Sequence, residues 1–409
     1  MKKIAIIGGG AAGLMAAITA AKNGADVTVY EQNAEPGKKI LASGNGRCNI
    51  INRTSGIEDF EGETPAFSAE ALRAMEFRTF ERFCKSIGLL LEIKEDGKCY
   101  PLSHEARTVQ AALTRAALHR KVRFENETIV TSVSKEEDRF AVVTADGTQG
   151  FERLIIATGS PAAPQLGGSD SGMGFAAAFG HSVIAPFPSL VGLHLEEPAL
   201  SKMAGVKTTA RVTLLIDNAP AREEEGDVLF TRYGLSGFAV LDLSHRASKA
   251  LRDYSYVTLK VDLLPRFTQQ SLGTQIEQMA KLLPGDTLYD LLCGLLPHKL
   301  IRPLMREHKL TPDMPCADVN AKTAKQVAYA IKQWSFHVSD THGYKHAEVA
   351  GGGVDTDEIN EKTMESKKVK GLYFAGEVID ITGRRGGFNF HFAWGSGYLA
   401  GLNAAGVKR

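Results

Sequence analysis

The sequence predicts an α/β fold in which a parallel, doubly wound sheet is interrupted by an inserted β-rich domain and a small helical subdomain. Short apolar runs at 4–7, 154–156 and 372–374 each end in small residues, as do strands that are buried on both faces of a parallel sheet. Between the second and third runs, alternating apolar residues and then helical apolar spacing indicate the insertion.

The composition is that of an ordinary globular protein, with 44% hydrophobic and 23% charged residues in a chain of 409. The 48 Lys and Arg against 47 Asp and Glu give a net charge of +1, which provides no electrostatic case for nucleic acid or an anionic membrane. The five cysteines include no CxxC pair, and Cys293 within LLCGLL is predicted to be core. We therefore expect a cytoplasmic protein with no metal site, membrane or nucleic-acid partner, whose oligomeric state the sequence leaves open.

The first strand leads into a glycine turn and an Ala-rich helix. Gly8, Gly10 and Gly13 form a GxGxxG motif directly after the strand. In this motif Gly8 permits a tight turn, Gly10 lets the backbone approach a pyrophosphate, and Gly13 lets helix and strand pack closely. Ala11 and Ala12 open the helix, whose free N–H groups favour a diphosphate.

A second predicted strand, at 27–30, ends in Glu31 and Gln32. The separation of Glu31 from Gly13 along the sequence suits a carboxylate that accepts hydrogen bonds from an adenosine ribose. The charge of Glu31 would repel the 2′-phosphate of NADP. Strand, glycine motif, helix, strand and acid in this order predict a site for a dinucleotide, either FAD or NAD. The alternative is a structural turn without a ligand.

Two further strand ends carry small or acidic residues. Ligands of open α/β sheets collect at the carboxyl ends of the strands, so these residues are expected near the same ligand. They are Ala157, Thr158 and Gly159 in the middle of the chain, and Gly376 and Glu377 near its end.

Together these features resemble flavoproteins that bind FAD in an extended form and, more narrowly, the YhiN/BaiN-like bacterial flavoprotein family. The blocks that carry the resemblance are SGNGRCNIIN (43–52), GDVLFTRYGLSGFAVLDLS (226–244), AEVAGGGVDTDEIN (347–360) and GLYFAGEVIDITGRRGGFNFHFAWGSGYLAG (371–401). Because the family includes a bile-acid-inducible flavoprotein and an aminoacetone oxidase, the resemblance implies hydride transfer between a small or hydrophobic organic substrate and flavin N5. The sequence departs from the family pattern after Ala157, Thr158 and Gly159 (the ATG segment) and at 388–391, which leaves the substrate open.

The resemblance also implies that the SGNGRCN segment runs beneath the FAD diphosphate towards the isoalloxazine ring. Glycines there can adopt positive φ and bring backbone donors to ligand oxygens. The segment contributes Ser43, Gly44, Gly46, Arg47, Cys48 and Asn49; the other expected contacts are Lys38 or Lys39 for the diphosphate, Val130 for adenine, Glu377 and Asp380 for the ribityl hydroxyls, and Gly386, Gly387, Phe388 and Asn389 against the flavin. A helix expected from about Ala393 would favour negative charge on reduced flavin. The structural alternatives are that Val130 is an ordinary strand residue and that Glu377 and Asp380 cap a helix or a turn.

Cys48, His391 and Tyr344 are the candidate catalytic residues. Arg53 stands five residues beyond Cys48, where a flavin disulfide reductase would carry its second cysteine, so Cys48 is either a single thiol beside the flavin or a packed loop residue. His391 is either an acid or base near neutral pH or a structural hydrogen-bonding residue. Tyr344 lies where the insertion rejoins the first domain.

The expected domains are an FAD-binding domain at 1–188 and 345–409, a β-rich substrate domain at 189–265 and 318–344, and a helical subdomain at 266–317. No second GxGxxG follows, so NADH or NADPH would reach the flavin as a transient donor without a Rossmann domain of its own. The reaction stays open between an NAD(P)H-linked reductase or dehydrogenase acting on a carbon–carbon double bond and an oxygen-using amine oxidase. An FAD module acting on or with RNA is the alternative from another class.

Overall fold

A computed structural model describes residues 1–407, which divide into two compact units. One unit comprises Met1–Phe187 and the chain from Glu348 onward, and the other comprises Pro188–Ala347. Among the described residues, no helix combines the length and the apolar character needed to cross a bilayer.

The elements are numbered here along the chain. Before the insertion they are β1 (Lys3–Ile7), α1 (Ala11–Lys22), β2 (Asp26–Tyr30), α2 (Lys38–Ala42), β3 (Ile51–Asn52), β4 (Phe60–Glu61), α3 (Ser68–Ala74), α4 (Phe77–Ser86), β5 (Leu91–Ile93), β6 (Lys98–Pro101), α5 (Ala106–Leu118), β7 (Arg123–Glu125), β8 (Ser132–Glu136), β9 (Arg139–Thr144), β10 (Gly147–Phe151), β11 (Arg153–Ile156), α6 (Ser171–Ala178) and β12 (Val183–Ser189). The insertion contains β13 (Leu193–Leu195), α7 (Leu200–Met203), β14 (Lys207–Ile216), β15 (Ala219–Phe230), β16 (Gly234–Ser236), α8 (Phe238–Arg252), β17 (Val257–Asp262), α9 (Gln269–Leu282), α10 (Leu288–Cys293), α11 (His298–Glu307), α12 (Ala321–Lys332) and β18 (Trp334–Thr341). After it come β19 (Val349–Val354), β20 (Leu372–Phe374), β21 (Thr382–Gly383) and α13 (Phe388–Ala404).

The central sheet of the first unit has five strands in the order β20-β11-β1-β2-β7, and all of its pairings are parallel. The three apolar runs singled out in the sequence are therefore neighbours: Ile7 pairs with Ile156, and Ile156 pairs with Phe374. The chain first runs from β1 to β2, which lies on one side of β1, and β11 is later added on the other side of β1, so the direction of strand addition reverses there. Ligands of open α/β sheets bind at such a reversal, outside the carboxyl ends of the strands. The predicted α/β class is confirmed.

Helices α1 and α13 pack against each other through glycines. A Cβ added to Gly397 would lie 2.4 Å from the carbonyl oxygen of Ala12, and one added to Gly401 would lie 2.4 Å from that of Ala16. Only residues without a side chain allow this approach of the two backbones. The helix that carries the GxGxxG turn is therefore held in place by the last helix of the chain.

The second unit is a closed barrel of six strands in the order β13-β16-β15-β14-β17-β18. Along β17 alternate residues are buried, as expected for one face turned to a core. The barrel and helices α9–α12 share one hydrophobic core, so the predicted β-rich insertion and helical part are both present.

Two local predictions in the insertion are wrong. Residues 238–252, which lie in the part expected to be β-rich, form helix α8, because Ala239, Leu243 and Ala247 share one buried helical face. Cys293 is exposed at the end of α10, where its neighbours Leu291 and Leu292 take the buried positions instead.

Candidate cofactor site

The glycine turn after β1 has the geometry that its motif predicts. Gly8 has φ of 101° and packs so closely on the segment after β11 that an added Cβ would lie 2.4 Å from the carbonyl oxygen of Ala157. A Cβ on Gly13 would lie 1.9 Å from the carbonyl oxygen of Gly8. No heavy atom lies within 4 Å of the corresponding position on Gly10, so space is open beside the first turn of α1. The helix N-terminus there can receive an anionic ligand.

Glu31 follows β2, and its carboxylate contacts the glycine turn. Its Oε2 accepts a hydrogen bond from the Gly9 N–H at 2.9 Å, and its Oε1 accepts bonds from the backbone and side chain of Asn33 at 2.8 and 2.6 Å. The residue is only 6% exposed, so these bonds fix the carboxylate. A carboxylate oxygen can accept two hydrogen bonds, and Oε2 therefore retains one position for a ribose hydroxyl.

Two predicted neighbours of Glu31 have protein partners of their own. The side-chain amide of Gln32 donates to the carbonyl oxygen of Gly167 at 2.6 Å, and Lys38 donates to the Asn33 side chain at 3.2 Å. Val130 is buried in the loop before β8. Their contacts with adenine or diphosphate stay predictions.

The SGNGRCN segment offers backbone groups rather than large side chains to a ligand. Gly44, Asn45, Gly46 and Cys48 all have left-handed φ, at 56°, 55°, 81° and 56°. Loops of this kind can make anion-binding concavities of backbone N–H groups. No heavy atom lies within 4 Å of a Cβ placed on Gly46, and Arg47 is exposed beside it. The sequence predicted positive φ at the glycines but gave no indication that Asn45 and Cys48 also adopt it.

The structure brings this segment together with the late glycine block. A Cβ on Gly387 would lie 2.7 Å from the carbonyl carbon of Ile51 and 3.0 Å from Oδ1 of Asn49. The side-chain amide of Asn52 donates to the carbonyl oxygen of Gly386 at 3.1 Å. Two segments more than 300 positions apart in the chain therefore form one surface.

The last helix begins at Phe388, so the prediction of a start near Ala393 is wrong; Ala393 is buried inside the helix. No side chain caps its N-terminus, because the N-cap residue is Gly387; Asn389 exchanges hydrogen bonds of 2.8 and 2.7 Å with the N–H and carbonyl of Gly383. The sequence favoured a later start because glycines and aromatic residues are weak helix formers. Packing overrides that preference and leaves first-turn N–H groups for a ligand.

The acidic residues near β20 differ in their surroundings. Glu377 forms an ion pair of 2.8 Å with Lys39, and the Ser160 hydroxyl donates to the same carboxylate oxygen at 3.4 Å. Asp380 is 2% exposed and accepts a hydrogen bond from the Glu63 N–H at 2.8 Å. Glu377 is thus the more accessible of the two candidates for ribityl contacts.

The ATG segment and the turn after β20 both contact the glycine turn or its helix. Ala157 touches Gly8, and a Cβ on Gly376 would lie 2.8 Å from the Cβ of Ala12. The Thr158 hydroxyl is buried without a hydrogen-bond partner among the described residues, and Gly159 beside it has φ of 79°. A buried hydroxyl of this kind is costly unless a ligand or water satisfies it.

The candidate catalytic residues lie in less favourable surroundings. Cys48 is fully buried, and burial raises the pKa of its thiol to about 11. His391 is 4% exposed, its Nε2 lies 2.9 Å from the carbonyl oxygen of Met75, and burial lowers its pKa to about 4. Both arrangements favour structural roles. Tyr344 lies in the turn after β18 and is half-buried.

One positioning group was missed in the sequence. The Trp394 indole donates to the carbonyl oxygen of Ile50 at 2.7 Å, and its ring stacks on Phe80 and Phe390 at centroid distances of 5.6 and 5.5 Å. It ties α13 to the end of the SGNGRCN segment. The sequence signal for this ring contact was the spacing of Phe390 and Trp394 by one helical turn, which makes the two side chains neighbours on a helix.

Comparisons with known proteins agree with this geometry. The chain is 34% identical over 409 residues to a 3-dehydro-bile acid delta(4,6)-reductase of Clostridium scindens, with 99% of each chain covered. It is 32% identical to a ribosomal RNA dihydrouridine synthase of Escherichia coli, with 98% of each chain covered. Among solved structures, a 3-ketosteroid delta1-dehydrogenase from Sterolibacterium denitrificans matches with a TM-score of 0.54 and 12% identity, covering 100% of both chains; this likeness concerns the fold.

Fold and site together define a flavin-dependent oxidoreductase with a Rossmann-like FAD-binding domain. The chain belongs to the HI0933-like family, because the family model described as "HI0933-like protein Rossmann domain" matches residues 2–403. The resemblance seen in the sequence is confirmed.

The residues present fit FAD. The open space beside Gly10 suits a diphosphate, Glu31 keeps an acceptor for a ribose, and Thr158 has a hydroxyl to satisfy. The SGNGRCN segment and the uncapped start of α13 supply backbone donors for the remaining part. When bound, FAD supplies hydride acceptance and donation, which no side chain provides.

Proposed function

We propose that this protein is an FAD-dependent reductase of a carbon–carbon double bond conjugated with a carbonyl group, with NADH or NADPH as electron donor. One observation carries the proposal: the two named relatives, of almost equal identity over whole chains, have names that denote such a reduction. The first reduces a bile acid that carries a 3-oxo group and double bonds at positions 4 and 6. The second makes dihydrouridine, which is uridine saturated next to its ring carbonyl.

Near-equal identity to both relatives means that the shared chemistry is better supported than either substrate. A conjugated carbonyl activates the distant carbon of the double bond towards hydride, and the negative charge that develops lies on the carbonyl oxygen. Backbone donors or a helix N-terminus stabilise such charge. In this chain the uncapped start of α13 and the left-handed residues of SGNGRCN are assigned to FAD, where they would stabilise negative charge on the reduced flavin.

The reduction also requires a proton at the second carbon. Cys48 and His391 remain predictions for this step, but the geometry disfavours both. Burial raises the pKa of the Cys48 thiol to about 11, which keeps it neutral. Burial lowers the pKa of His391 to about 4, and its Nε2 proton is engaged by Met75. We therefore propose that solvent supplies the proton.

The deciding experiment is an anaerobic reduction of the FAD-bound protein by NADH and, separately, by NADPH. The reduced protein is then mixed with a 3-oxo-4,6-diene bile acid, with uridine-containing ribosomal RNA, or with air. We expect one conjugated substrate to reoxidise the flavin at least tenfold faster than oxygen does, with recovery of the saturated product. Reoxidation by oxygen alone, with one peroxide released per flavin, would replace the proposal with the amine-oxidase alternative. The five free cysteines suit a reducing cytoplasm, where we place the reaction.

A further inference from the structure

Four aromatic side chains at one end of the barrel form a cluster, here called the rim stack: His194, Tyr233, His342 and His346. They come from separate parts of the insertion, namely β13, the turn before β16 and the turn after β18. The rings of Tyr233 and His342 are 3.8 Å apart at an interplanar angle of 8°, and those of His342 and His346 are 4.0 Å apart at 26°. His342 therefore lies between the other two rings.

The stack is anchored from behind. Nε2 of His194 and Nδ1 of His342 are 2.8 Å apart, which is a hydrogen bond between two imidazoles. The backbone N–H of His342 donates to the carbonyl oxygen of Gly192 at 2.8 Å. A Cβ on Gly192 would lie 2.5 Å from the Tyr233 hydroxyl, so only glycine there leaves room for the tyrosine. These contacts fix the inner rings of the stack.

The outer end of the stack faces solvent. Gly343, with φ of 77°, turns the chain so that His342 and His346 come face to face, and His346 is exposed. Burial, and then the neighbouring His346 and His194, lower the pKa of His342, so the central ring is neutral at pH 7. A stack of rings with an exposed terminal member offers a face on which another flat ring can continue.

We propose that the rim stack binds the heteroaromatic base of a nucleoside on the exposed face of His346. Nucleobases stack on tyrosine and histidine side chains, because every base presents a flat π-face. The alicyclic rings of a steroid are puckered and edged with hydrogens, so they do not continue such a stack. Two sources carry this chemistry: a pyrimidine substrate and a nicotinamide dinucleotide donor. The inference concerns binding alone and does not rest on the proposed reaction.

The test follows the ring protons of His342 and His346 by nuclear magnetic resonance in the oxidised, FAD-bound protein. The ligands are uridine 5′-monophosphate, NAD⁺ and a 3-oxo-4-ene bile acid. We expect one nucleotide to shift the His346 signal upfield through its ring current, in a saturable way. A pyrimidine source predicts that uridine monophosphate saturates at the lower concentration, and a donor source predicts that NAD⁺ does.

Three variants complete the test. H346A should weaken nucleotide binding about 5- to 150-fold, the value expected for one base–aromatic stack, whereas H346F keeps a flat ring and should bind within about threefold of wild type. Y256A is the matched control, since Tyr256 is a 51% exposed ring stacked on His337 at 4.5 Å in the same unit. Equal binding by H346A and wild type, equal losses in H346A and Y256A, or a His346 shift caused only by the bile acid would each overturn the assignment. No flavin turnover is needed, so failure of the proposed reaction would leave this result readable.

Discussion

Replacing Gly397 with alanine tests how closely the last helix must approach the first. The added Cβ would lie 2.4 Å from the carbonyl oxygen of Ala12, which is about 1 Å inside an ordinary contact. The obstructing atom is backbone in the first turns of α1, so no side-chain rotation relieves the clash. Either α1 or α13 must move.

The expected cost has two opposing parts. Overpacking a well-packed core typically costs about 1–3 kcal/mol. Replacing glycine by alanine inside a helix gains about 1 kcal/mol in helix propensity. Gly174 in α6 provides the matched control, because no heavy atom lies within 4 Å of its added Cβ. The gain is common to both variants, so their difference in unfolding free energy isolates the overpacking cost of about 1–3 kcal/mol.

Thermal unfolding followed by circular dichroism and by release of flavin fluorescence measures this difference. At about 2–4 °C per kcal/mol for a domain of this size, G397A should melt roughly 5 °C below G174A. Because α1 carries the glycine turn, G397A should also release FAD at a lower temperature. A G397A protein that melts at or above G174A, and retains its flavin equally well, would refute the close approach of the two helices.

Further predictions concern the cofactor site, pH and thiols. G10V should abolish FAD binding while the circular dichroism spectrum stays native, because the side chain enters the open space beside α1 without a clash; G174V is its control, and a yellow G10V preparation would contradict the site. Burial lowers the pKa of His391 to about 4, from 6.5 in the unfolded chain, so the unfolded state binds a proton that the folded state does not. Stability should therefore be full above pH 6.5 and fall by about 3 kcal/mol as the pH drops to 4, and denaturation curves of H391F should lack this share of the loss. A thiol reagent should modify Cys293 alone among the five cysteines of the native protein, and C293S should abolish the reaction; rapid labelling of Cys48 would show that its loop opens.

The central part of the fold was predictable because its signals are local. A strand buried on both faces, a glycine turn and an Ala-rich helix each have a short pattern of their own. Helix α8 was missed because its sequence follows a strand-like run, and its helical face becomes clear only against the barrel that it covers. The start of α13 was missed for a related reason, since propensity favoured Ala393 and packing favoured Phe388.

For the candidate site, residue types were predictable and surroundings were not. The sequence indicated a tight turn at Gly8 and open space at Gly10, and the structure has both, whereas the ribose contact of Glu31 stays a prediction. It also offered Cys48 and His391 as reactive groups, because both types are chemically versatile. Burial decides their pKa values, and burial depends on which helices cover them. The two cysteines show this: Cys293 was predicted to be buried and is exposed, whereas Cys48, a candidate reactive group, is buried.

By itself, the sequence determined the parallel sheet, the glycine turn and the membership in a flavoprotein family, because each depends on a short pattern of backbone and residue size. Only the tertiary structure decided that the SGNGRCN segment meets the late glycine block, that Cys48 and His391 are enclosed, and that His194, Tyr233, His342 and His346 stack. These contacts join positions far apart in the chain. A local pattern cannot encode such distances, because they follow from how whole strands and helices pack.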